Sequence, residues 1–119
     1  MTRLIKTTII AALLTAAPLA FACDYPSRVD IPDGATATKE EMINGQRGVK
    51  GYMKAMEEYL ACIEAEEKDA VAELGDIDDE ALLQRTELFN AKYNAAVEEM
   101  NLVAEEFNMQ VRTYKDANP

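Results

Sequence analysis

The sequence predicts an all-α protein: an antiparallel hairpin of two long helices, with an extended N-terminal segment tied back to helix 1 by a disulfide. Two long apolar stripes at helical spacing lie on either side of a glycine and a run of acids. Proline punctuates the stretch before the first stripe. The chain has two cysteines, one in each of those regions, 39 residues apart.

The first 22 residues carry a short basic start (Arg3, Lys6), an apolar run from Ile9 to Ala17, and Ala20-Phe21-Ala22 before Cys23. That is the layout of a secretory signal peptide cleaved after Ala22, and its apolar run is too short for a comfortable membrane span. The expectation is export to the periplasm or beyond, with residues 23–119 forming a single helical-hairpin domain and no transmembrane segment in the mature chain. A lipid anchor on Cys23 is the alternative. Ala20 and Phe21 fit a lipobox only weakly, and that reading leaves Cys62 without a partner.

All 22 acidic side chains but only 10 of the 12 basic ones lie in residues 23–119, a net charge of −12. Such a surface repels nucleic acid and anionic lipid. A cationic partner or metal ions suit it better.

The extended segment runs from Cys23 to about residue 37. Ile31-Pro32-Asp33-Gly34 reads as a type I turn that reverses the chain into helix 1. Val29 and Ile31 alternate with Arg28 and Asp30, as in a strip with one face buried. Helix 1 begins at the capping box Thr38-Lys39-Glu40-Glu41 and runs to about Leu74. Its stripe is Met42, Val49, Met56, Ile63 and Ala70, flanked by Tyr52, Met53, Tyr59, Leu60 and Leu74. Gly48, Ala55 and Cys62 form a lane of small residues for the returning segment. A mid-helix glycine costs about 1 kcal/mol against alanine, so close approach of that segment is the reason expected for Gly45, Gly48 and Gly51.

The reach supports the tie. About 36 Å of helix separates Thr38 from Cys62, and the 15 steps from Cys23 to Thr38 can span about 46 Å. In an oxidising compartment the Cys23–Cys62 disulfide is then the leading reading.

Gly75 ends helix 1, and Asp76, Asp78, Asp79 and Glu80 suit the positive start of the next helix. Helix 2, about residues 78–115, carries Leu82, Phe89, Tyr93, Ala96, Met100, Val103, Phe107, Val111 and Tyr114 on one stripe. A further column, Ala81, Leu88, Ala95, Leu102 and Met109, lies about 100° away, and one partner helix cannot cover both. Either the extended segment covers it or another molecule does. A homodimer, or an unidentified envelope protein, is the expected occupant, with Leu88, Leu102 and Met109 as the binding surface.

Catalytic signals are absent. There is no histidine, which removes the commonest general base and metal ligand, and Ser27 is the single serine. The acid pairs Glu57-Glu58, Glu98-Glu99 and Glu105-Glu106 fall on the polar faces and read as solvated. Met53-x-x-Met56 offers soft ligands for Cu(I), but the stripe assigns Met56 to the core. Asp76, Asp78, Asp79 and Glu80 form a candidate tip for a divalent cation or a basic partner, though the spacing fails the calcium-loop pattern. The reading is a non-enzyme with no cofactor and no assigned metal site.

Cys23, Ile31-Pro32-Asp33-Gly34, Glu41-Met42, Val49-Lys50-x-Tyr52 and Tyr59-Leu60-x-Cys62 resemble a set of small exported helical proteins of proteobacteria. The resemblance implies a disulfide-stapled hairpin, and its motifs are structural. Three roles follow as expectations: a non-catalytic binding module, a periplasmic hairpin chaperone or stress protein, and a copper- or divalent-cation-binding protein. The repeated Leu-Thr-x-x-Gln signature of one group of envelope chaperones is missing here.

Overall fold

A computed structural model describes residues 22–119 of the chain. The expected signal peptide lies outside the described residues except for Ala22. Two helices, α1 (Lys39–Leu74) and α2 (Asp79–Ala117), pack against each other as a hairpin. Residues 22–33 form an extended arm laid along the pair, and the Cys23–Cys62 disulfide fastens its far end to α1 with the two Cα atoms 5.8 Å apart. No helix among the described residues is long and apolar enough to cross a membrane.

Each boundary has a local cause. At the start of α1 the Glu41 N–H donates to Thr38 Oγ1 at 3.2 Å, and the Thr38 N–H donates to Glu41 Oε2 at 2.6 Å. Two otherwise unpaired amides are satisfied reciprocally. α1 stops at Gly75, whose φ of 61° is a conformation that glycine adopts without steric cost. Asp78 caps α2 by accepting from the Ala81 N–H at 2.9 Å, and Asp79 and Glu80 occupy the first turn, where the helix dipole favours negative charge. α2 extends two residues past the expected end, and the Asn118 N–H closes it on the Tyr114 carbonyl.

The reversal into α1 begins later than the sequence predicts. Ile31–Gly34 is not the hydrogen-bonded turn; instead the Asp33 carbonyl accepts from Thr36 N at 3.2 Å and from Ala37 N at 2.8 Å. The Asp33 carboxylate also accepts from Ala35 N at 2.9 Å, an Asx turn that fixes the bend. Pro32 is used in packing rather than turning: a Cβ on Gly45 would come within 2.6 Å of its ring. Gly34 lies against α2, where a Cβ would overlap the Gln110 carbonyl, and its N–H donates to the Gln110 side-chain oxygen at 2.8 Å.

The lane of small residues is where the sequence places it. Gly48, Ala55 and Cys62 are all half-buried, and Val29 sits so close to Gly48 that a Cβ there would be 3.0 Å from its methyl group. Gly51 departs from the expectation: a Cβ there would meet nothing within 4 Å, and no contact explains that glycine.

The core is shorter than the stripes. On α1 the buried apolar side chains run from Met42 to Ile63, and on α2 the buried residues are Ala96 and Val103. Beyond them toward the turn, Leu74 is 51% exposed and Leu82 37% exposed, so neither joins the core that their spacing predicts. The arm ends at the level of Cys62. Past that point two helices alone face each other, and their flanks stay open.

Candidate functional site

The arm does more than lie on α1; it fills the groove between the helices and reaches α2. Arg28 forks onto two carboxylates one heptad apart, donating through Nη1 to Glu99 at 2.8 Å and through Nη2 to Glu106 at 2.6 Å. The helical pattern puts both acids on a solvated face, yet both are half-buried. The signal was present in the sequence, since Arg28 is the one base in the arm and Glu99 and Glu106 share a face of α2.

Aromatic contacts hold the next stretch. Tyr25 meets Tyr59 edge-on, with ring centroids 5.0 Å apart, and the buried Tyr52 hydroxyl faces the Tyr25 phenol without reaching hydrogen-bond geometry. Burial, and then the Glu99 carboxylate, push the Tyr25 phenol above its ordinary value of 10.0. Burial, and then Tyr25, do the same to Tyr52. Both phenols therefore stay protonated at neutral pH. Glu66 brings a carboxylate oxygen to 3.1 Å from Cys23 Sγ. The oxidised sulfur has no proton to donate, so this is a close contact and not a hydrogen bond.

With the arm's course fixed, the open question about the second column is answered. Arg28 stops at the Glu99–Glu106 flank of α2, and the neighbouring column stays bare: Leu88 is 74%, Leu102 47% and Met109 50% exposed. No family model, curated protein or solved structure matches the chain.

The other candidate positions do not come together as a site among the described residues. Asp78 is the cap of α2, while Asp76, Asp79 and Glu80 are exposed at the turn. Among the described residues no three Asp, Glu, Cys or His side chains are grouped so as to hold a metal ion. Met56 is completely buried and Met53 half-buried, so the Met53–Met56 pair does not face solvent as two soft ligands. Cys23 and Cys62 spend both sulfurs on each other, and a sulfur in a disulfide is not free to carry a thioether-linked lipid.

Proposed function

We propose that this chain is an exported, periplasmic or secreted helical hairpin that acts as a non-catalytic protein-binding module through the Leu88–Leu102–Met109 face of α2. The observation that carries this reading is the exposure of three large apolar side chains in register along one helix face. Isolated exposed leucines are ordinary, but an aligned column left bare by the rest of the fold marks an interaction surface. The basic-apolar leader, the disulfide and the resemblance to exported proteobacterial helical proteins support the compartment.

The test is affinity capture from envelope extract with the oxidised chain and with Leu88→Glu and Leu102→Glu variants of unchanged helicity. Proteins retained by the parent and lost with both variants support the reading; an identical set with all three chains sinks it. The hairpin-chaperone reading keeps one observation in its favour, the exposure of Leu74, Leu82 and Leu83 around the open end. Suppression of a client's aggregation near equal stoichiometry, lost on making those leucines polar, distinguishes it.

A further inference from the structure

We propose that the exposed face of α2 closes on a second copy of this chain, with the two α2 helices antiparallel and Ala95 at the centre of the contact. The proposal rests on the reading of that face as the binding surface and names its occupant.

Cover is missing on α2 in particular. α1 buries eight residues and α2 only two, because the arm lies over the groove and leaves the outer side of α2 bare. The column, half-buried at Ala81 and exposed at Leu88, Ala95, Leu102 and Met109, advances seven residues at each step and extends over about 42 Å. Two-fold antiparallel pairing about Ala95 sets Leu88 against the second copy's Leu102 and Ala81 against its Met109. Small residues then meet a small or a flexible large one, which permits close approach of the two helices.

Charge selects the antiparallel direction. The flank next to the column reads Arg85, Lys92, Glu99, Glu106, basic before Ala95 and acidic after it. In an antiparallel pair each flank meets its own copy reversed, so Lys92 faces Glu99 and Arg85 faces Glu106, twice over. A parallel two-fold instead sets Glu99 beside the other copy's Glu98 and Glu106 beside its Glu105, four like-charge approaches. Arg85 holds Glu67 of its own chain through Nη2 and Nε, so only its Nη1 remains for the second copy's Glu106, and the central Lys92–Glu99 pairs carry the charge argument. Arg28 uses one oxygen each of Glu99 and Glu106, and Lys92 makes no ion pair among the described residues, standing 5.9 Å over the Tyr59 ring.

Sedimentation equilibrium of the oxidised chain tests the pairing. At roughly 100 µM a dimer with a dissociation constant near 10 µM is mostly formed. The expected result is a dimer for the parent and a monomer of unchanged helicity for Leu102→Glu. Cross-linking tests the register: under mild oxidation Ala95→Cys gives a covalent dimer with the Cys23–Cys62 bridge intact, while Met109→Cys, with its two copies about 42 Å apart, does not. A monomer at that concentration, a dimer that survives Leu102→Glu, or Met109→Cys linking as readily as Ala95→Cys overturns the proposal. If the parent is monomeric yet captures an envelope protein through Leu102, the binding reading stands and the second copy falls.

Discussion

The hairpin has two halves built from the same pair of helices, and they differ in what lies over the seam. In the half farther from the turn, the arm adds a third layer, and every buried apolar side chain of the described residues lies there, from Met42 to Ile63 and at Ala96 and Val103. In the half nearer the turn the stripes continue at the same spacing, yet Ala70 and Phe89 are only half-buried and Leu74 and Leu82 are exposed. Periodicity decides which face of a helix points inward; the number of layers decides whether that face becomes dry. The open half is held by weaker devices, chiefly the Arg85–Glu67 pair, with Nη2 donating to Oε2 at 2.9 Å and Nε 2.8 Å from Oε1. It also collects acids at the end of α1, where the last turn carries no basic residue to offset the dipole.

Releasing the arm is the strongest way to break this contrast. The disulfide closes a ring over a separation of 39 residues, which the chain-entropy account values at about 4 kcal/mol. The double change Cys23→Ala, Cys62→Ala is expected to lower Tm by roughly 15–30 °C. Amide exchange should then show Val49 to Ile63 losing protection down to the level of the open half. A loss below about 1 kcal/mol would mean that the arm's other contacts hold it without the covalent tie.

Two glycines on one helix give a sharper test, because the fold predicts opposite signs for the same change. Gly45→Ala places a methyl within 2.6 Å of the Pro32 ring, so the arm must shift, at a cost of about 1–3 kcal/mol. Gly51→Ala fills open space on a helix and is expected to stabilise by about 0.5–1 kcal/mol. Denaturant midpoints of the two variants check both. Equal effects would deny that the arm's approach accounts for Gly45.

Much of this contrast was legible in the sequence and part was not, for identifiable reasons. Capping and helix-stop residues act within one turn, so Thr38, Glu41 and Gly75 could be placed directly, while Asp78 was legible only as one of four acids at the start of α2. The staple and the small-residue lane followed from reach and spacing. The turn at Asp33 was misplaced because Pro32 is spent on packing, and a local rule cannot see that Gly45 waits to receive its ring. The Arg28 fork was missed for a related reason: acids on a helix look solvated until another segment arrives. For the candidate surface the sequence located the column but left two covers open, and the arm's path across the groove removed one of them.

The ion pairs at the two ends of the comparison should differ less than their geometry suggests. Arg28→Met removes both bonds of the fork, but its side chain is 50% exposed, which screens the attraction and holds the expected loss to about 0.5–1 kcal/mol. Arg85→Met in the open half removes a single partner and should cost no more. Measured in the disulfide-free background, the Arg28 effect is expected to shrink further, since an untethered arm makes the contact only part of the time. An Arg28 effect that grows there would show the fork, rather than the bridge, to be the principal latch.

The smallest effect lies at the hinge where the arm becomes α1. The Thr38 backbone N–H, and then its hydroxyl, hold the Glu41 carboxylate below its ordinary value of 4.5. A depressed carboxylate contributes stability that is fully present above its unfolded pKa and is lost as pH falls through the lower, folded one. Glu41→Gln should therefore lower Tm slightly at pH 7, and the gap from the parent should close as the pH drops below 4.5, because the parent's own cap is then protonated. Glu41 is fully exposed, and although it lies within the ring closed by Cys23 and Cys62 its cap bonds are only to Thr38, so the gap should be the same with and without the bridge. A gap that persists at pH 2–3 would assign the loss to helix propensity or packing instead of to charge at the cap, and would separate the entry of α1 from the electrostatics of the arm.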